Sequence, residues 1–156
     1  MKIAIDPGKT GAIAWCLDDD AFLGIQHMNM AKTIDVIFQE LKDLRDMAEN
    51  VDEDLTLYME DVGFHRQGNN AQSSATFARH VGHLEMACVA LQIPVVKVHP
   101  KVWIRKFTGK TFKNTPEGKK KRKDAIWHEA LRQAPGIKLT KRNADAVAIL
   151  LLHMGT

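Results

Sequence analysis

The chain has little cysteine. Cys16 and Cys88 are its only two. They stand far apart with no further Cys at metal-ligand spacing, which argues against a zinc site and gives no basis for a disulfide framework. Both read as reduced thiols in or near the core. Long apolar runs are also lacking. The opening residues, Met1-Lys2-Ile3-Ala4-Ile5-Asp6, meet an acid after three apolar positions, too soon for a secretory segment, and no later stretch is suited to crossing a bilayer. The expectation is a cytoplasmic protein with no membrane partner. Proline is sparse, with 5 residues, and there is no internal repeat, linker or low-complexity tract. With 45% hydrophobic and 26% charged residues, the composition is that of a folded globular protein. A chain of 156 residues suits one domain, residues 1–156, and is too short for two substantial lobes around a cleft. An active site therefore has to sit on a single sheet or involve a second copy.

Charge is plentiful and segregated. The formal net charge is only +3. From Lys97 to Lys123, however, eleven Lys and Arg face Glu117 alone, a local balance of +10. From Ala31 to Asp61, ten acids outweigh Lys32, Lys42 and Arg45, a balance of −7. Such asymmetry implies one face built for a polyanion and another for solvent or a partner.

Residues 1–6 read as a buried strand stopped by Pro7-Gly8, and Gly11 to Leu17 as a second strand returning antiparallel beside it. Residues 21–30 suit a third strand of the same meander. Ile34, Ile37, Phe38, Leu41, Leu44 and Met47 recur at helical spacing and predict an amphipathic helix over 32–49. Strands are expected at Leu55–Glu60 and Pro94–Val98, and helices at 71–91, 119–133 and 141–153. A meander followed by alternating helix and strand predicts an α/β fold with a mixed five-stranded sheet and helices on both faces.

Three acids stand out by position. Asp6 ends the first strand, Glu60 ends a later one, and Asp145 opens an otherwise apolar helix beside Ala148, Ile149 and Leu152. Each alone has a plain structural reading: Asp6 as a turn residue, Glu60 as a strand-end surface acid, Asp145 as a first-turn acid favoured by the helix dipole. Together they would repel one another unless a cation joined them. Asp61 competes with Glu60, but adjacent strand residues face opposite ways, so only one of the two can serve a given site.

Ile5-Asp6-Pro7-Gly8 with Thr10-Gly11, then Met59-Glu60-Asp61-Val62, then Ala144-Asp145-Ala146-Val147-Ala148 resembles, in order, the motif series of the RuvC family of Holliday junction resolvases, within the ribonuclease-H-like superfamily. Asn70, Ser73-Ser74, Gly82 and Val98-His99-Pro100 resemble features between those motifs, and the likeness runs over residues 1–153. It implies a ribonuclease-H-like fold and a crossover junction endodeoxyribonuclease that cuts four-way or other branched DNA as a homodimer, with one active site for each opposing strand. It further implies two Mg2+ ions per site, with Mn2+ able to substitute. Asp6 would bind both ions, and Glu60 and Asp145 one each. One ion would activate water and the other stabilise the leaving 3′ oxygen, giving a 5′ phosphate.

The same resemblance implies a catalytic lysine at Lys123, in Lys123-Asp124-Ala125-Ile126, and a base-stacking aromatic at Phe64. One departure stands out: the family carries an acid or His three residues before the helix acid, where this chain has Arg142, which cannot ligate magnesium. Asn143 is then a candidate for the further ligand.

The run Lys119-Lys120-Lys121-Arg122-Lys123 reads equally as a solvated helix start or as a phosphate-binding surface. In the second reading these residues, with Lys101, Arg105, Lys106, Lys110 and Lys113, contact phosphates without sequence preference. Phe77, Val81, Leu84, Met86 and Leu91 on the 71–91 helix suit either a dimer interface or packing on their own sheet. His80 and His83, without a third ligand, read as polar surface groups, and Trp15, Trp103 and Trp127 as core or interface residues.

Three other functions remain open at this stage. Asp6-x-Gly8-x-Thr10 also resembles the phosphate loop of actin-like phosphotransferases, although the chain is too short for their second lobe. A junction-binding protein that does not cut, or a pre-ribosomal-RNA nuclease on the same fold, would use much of the same sequence.

Overall fold

The computed structural model of the chain describes residues 1–17, 22–63 and 70–154. Five strands, β1 (Lys2–Asp6), β2 (Ala12–Cys16), β3 (Phe22–His27), β4 (Thr56–Glu60) and β5 (Val95–Val98), form one sheet in the order β3-β2-β1-β4-β5. β1 runs antiparallel to β2 and β2 to β3, while β4 is parallel to both β1 and β5. The helices are α1 (Ile34–Asn50), α2 (Ala71–Ala90), α3 (Pro100–Thr108), α4 (Pro116–Gln133) and α5 (Ala144–His153).

The mixed sheet follows from connection length. Pro7-Gly8 and the short stretch to Gly11 permit a tight antiparallel return, whereas the parallel partners of β4 are reached only through the helical crossovers α1 and α2. Alternation along the strands then divides the interior into two cores. Ile3, Ile5, Leu57 and Met59 pack with Ile37 and Leu41 of α1 and Phe77 and Leu84 of α2. Ala4, Ala12 and Ala14 point the other way and pack with Trp103 of α3, Ile126 of α4 and the apolar body of α5. Small alanines let α5 lie close on β1 and β2. Each fully buried Leu, Ile or Met contributes about 1.5–3 kcal/mol.

Three expectations change. The stretch after His99 is a helix: the His99 Nδ1 accepts the Lys101 N–H at 3.3 Å, Pro100 occupies the first turn, and Gly109 ends α3 at φ 68°. α4 begins three residues before the expected 119, because the Thr115 hydroxyl accepts the Gly118 N–H at 3.1 Å and Pro116 pre-sets the first turn. α5 begins later than 141, since residues 141–143 form a turn.

On α2 the open alternatives are now separated. Phe77, Val81, Leu84 and Leu91 pack on the chain's own sheet, and Met86 alone of that set is exposed. His80, expected at the surface, is buried at 3% exposure. Cys16 and Cys88 are both buried and free. Among the described residues no helix is long and apolar enough to cross a membrane.

Candidate active site

The pairing of β1 with β4 sets Lys2 against Thr56 and Ile5 against Met59. The next step of that register brings Asp6 level with Glu60, on neighbouring strands about 4.8 Å apart. Alternation puts both on the face of Ala4 and Tyr58, the face that α3, α4 and α5 cover. The third acid comes from α5, which packs on β1 and β2 and presents Asp145 in its first turn. The three acids therefore share one face of the sheet at one end of two adjacent strands. Among the described residues, no group of three His, Cys, Asp or Glu side chains stands in metal-holding geometry.

The turn carrying Asp6 is held rigidly. Gly11 N–H donates to the Gly8 carbonyl at 3.1 Å, Met30 N–H to the same carbonyl at 3.1 Å, and Met28 N–H to the Gly11 carbonyl at 2.9 Å. Gly8 takes a φ of 150°. A Cβ on Gly11 would lie 2.6 Å from the Met28 carbonyl oxygen and 2.7 Å from that of Asp6. Glycine is therefore required where the backbone closes behind the acid.

Glu60 is 7% exposed, and its Oε1 accepts the Trp103 indole N–H at 3.0 Å in a buried setting. Asp61 is exposed. Trp103 reads in the sequence as a core or interface residue, and its short spacing with Ile104 and Phe107 is too slight a signal to reveal α3 or an inward indole. Asp145 keeps some surface, yet burial pushes its carboxyl above the ordinary 3.8, with Arg122 first and Lys123 second pulling it back down. An acid held this way is costly as a bare anion and is relieved by a nearby cation.

The expected ligand at Asn143 is otherwise engaged: its Oδ1 accepts the Thr140 N–H at 2.7 Å. Arg142 is exposed on the same turn. An ion pair between Lys141 and Asp124 ties this turn to α4.

From Asp61 onward opens a cleft of about 500 Å³ between the exit of β4, α3 and the start of α4. Lys101, Lys110, Lys113, Lys119 and Arg122 line it, with Asp61 as its one acid. Arg105, Lys106, Lys120, Lys121 and Lys123 lie outside this lining and, like the lining lysines, are exposed. Lys121 is paired with Glu117 at 2.7 Å, and Lys97 with Glu85 at 2.5 Å. Phe64 lies outside the described residues.

A mixed sheet in this order, with acids at the ends of its first and fourth strands and on its last helix, defines a ribonuclease-H-like fold. Among solved structures the chain is similar to Thermus thermophilus RuvC in complex with Holliday junction substrate, with TM-score 0.59 and 15% identity over 98% of this chain and 92% of that one. It is also similar to a second Thermus thermophilus RuvC structure, with TM-score 0.52 and 16% identity over 97% of this chain and 92% of that one. No family model matches the sequence, and no curated protein sequence does either. The fold is thus RuvC-like.

Proposed function

We propose that the protein is a metal-dependent endonuclease for branched DNA, cutting four-way junctions as a homodimer. The observation that carries this reading is the level placement of Asp6 and Glu60 on one sheet face, with Asp145 brought over the same face beside a cleft lined by five cations. The nearby solved structure holds a Holliday junction, and the cleft suits the same class of polyanion.

Three carboxylates offer the hard oxygen donors that Mg2+ or Mn2+ prefers, and the raised Asp145 carboxyl fits a site completed by a cation. Asp6, Glu60 and Asp145 would hold two such ions. Bound there, they supply electrophilic charge and an acidified water for phosphodiester hydrolysis. The protein's own part is orientation and charge. Trp103 fixes the Glu60 carboxylate, the Gly8–Gly11 turn fixes Asp6, and Arg122 and Lys123 place positive charge beside Asp145.

The test is cleavage of a synthetic four-way junction, compared with linear duplex, single strand and structured RNA, with and without Mg2+ or Mn2+. Asp6→Asn should abolish metal-dependent cutting while preserving or strengthening junction binding, because it removes repulsion between protein and phosphate. Metal-dependent cutting that persists in Asp6→Asn would overturn the site. A junction binder that does not cut is the second reading, favoured by Arg142, which cannot ligate a metal where the resemblance implies an acid or His. Tight junction binding by an uncut, unmutated complex would select it, and preference for RNA would select the ribosomal-RNA processing alternative.

A further inference from the structure

The basic cleft has a floor at Arg122, whose charge also reaches Asp145. On α4, Gly118, Ile126 and Ala130 are buried, and Arg122 stands four residues from both Gly118 and Ile126 on that same stripe. The helix therefore carries the Arg122 stem inward, while Lys119, Lys120, Lys121 and Lys123 remain exposed. The tight start of α4 sets this depth: a Cβ on Gly118 would lie 2.1 Å from the Lys113 carbonyl oxygen, so loop and helix touch backbone to backbone. The Arg122 Nε is buried and has no hydrogen-bond partner among the described residues.

A buried guanidinium Nε–H without a hydrogen bond is costly, and four lysines lining the same cleft add positive charge. Asp61 in the lining and Asp145 within reach of Arg122 leave the five cations in excess. An anion with several acceptor oxygens relieves both costs. The planar guanidinium suits a phosphate better than a point charge does, since its parallel N–H groups can meet two oxygens at once.

We propose that Arg122 is the floor of a phosphodiester pocket, gripping one backbone phosphate of a nucleic-acid strand while Lys101, Lys110, Lys113 and Lys119 surround it. The cleft begins at Asp61, one residue beyond Glu60. The inference rests on the nucleic-acid reading above but is independent of cutting. It separates Arg122 from the exposed lysines, which contribute diffuse attraction.

Two measurements test it, both without metal. In the unmutated protein, the Arg122 side-chain Nε–H resonance should shift on titration with a single-stranded hexathymidylate. In anisotropy with a labelled four-way junction, Arg122→Gln should weaken binding about tenfold, the loss of one charge-assisted contact, and reduce the slope of log K against log salt by about 1. Lys120→Gln should cost less. Arg122→Lys should keep the salt slope but recover only part of the affinity, because the charge stays and the fork is lost. If Arg122→Gln fails to fold, the resonance titration and Arg122→Lys decide. An unmoved Nε–H at saturating oligonucleotide, or Arg122→Gln binding within about twofold of the unmutated protein, would overturn the proposal. A shifted resonance in a protein that cuts nothing would uphold this pocket and sink the nuclease reading. Junction cutting with Arg122 unmoved would do the reverse.

Discussion

Trp103 donates its indole N–H to Glu60 Oε1 at 3.0 Å, and both residues are buried. The pair joins α3 to the end of β4, and so couples a helix of the basic segment to the orientation of a candidate ligand. Trp103→Phe keeps most of the ring and removes the donor. It should cost about 1–3 kcal/mol of stability by removing a buried hydrogen bond to a carboxylate. It should also weaken metal-dependent cutting about 10–100-fold, as loss of a partner that orients a ligand does. A thermal melt and a Mg2+ titration of the cleavage rate check the two effects. An unchanged Mg2+ dependence would remove Trp103 from the site.

Gly11 gives a sharper structural test, because the obstacle to a side chain there is backbone on both sides. Gly11→Ala must push apart the Met28 and Asp6 carbonyls, which lie 2.6 and 2.7 Å from the new Cβ. The expected cost is about 1–3 kcal/mol, with a fall in cutting larger than the loss of folded protein explains. Chemical denaturation alongside single-turnover cleavage separates the two. An alanine variant as stable and as active as the parent would show that the turn is looser than its hydrogen bonds imply.

Much of this architecture is legible in the chain because its signals are local. The strand of residues 1–6, the Pro7-Gly8 stop and the apolar period of α1 each follow from neighbouring residues. Placing Asp6 level with Glu60 follows once β1 and β4 are paired in parallel. α3 was hidden because its cap is a histidine and its apolar face is only Trp103, Ile104 and Phe107 among four polar or charged neighbours, Pro100 and Val102. The inward course of Arg122 was hidden for a different reason. A run of five cations carries no apolar period, so only the helix start at Pro116, and the Gly118 contact that sets it, reveal which cation faces the core. His80 was misread because a histidine on an amphipathic helix carries no mark of its burial until the partner chain segment, here around Met28, is in place.

That burial has a pH consequence. Desolvation lowers the His80 pKa from its ordinary 6.5, aided by His83, and the nearby Met28 backbone only partly offsets it. The unfolded chain therefore takes up the proton first as pH falls. The stability is fully present above 6.5 and is lost as pH drops from there toward the folded value. The melting temperature should fall between about pH 7 and 5, and His80→Leu should flatten that fall. Parallel melting profiles for the two proteins would assign the acid sensitivity elsewhere.

The basic segment makes a final prediction that separates attraction from chemistry. Lys120 and Lys123 are both exposed, but only Lys123 is among the cations that pull the Asp145 carboxyl down. Lys123→Ala should therefore slow single-turnover cutting by roughly a hundredfold or more, the scale of losing one group that stabilises developing charge. Lys120→Ala should chiefly weaken junction binding. For the unmutated protein, roughly 5 to 8 phosphate contacts per dimer give a slope of about −4 to −7 in log K against log salt, and each variant should lose about one unit or less of that slope. Rates at saturating enzyme carry the distinction, because saturation removes the binding difference and leaves only the barrier. Equal rates for the two variants would strip Lys123 of its role, while a flat salt response would remove the electrostatic basis for nucleic-acid binding altogether.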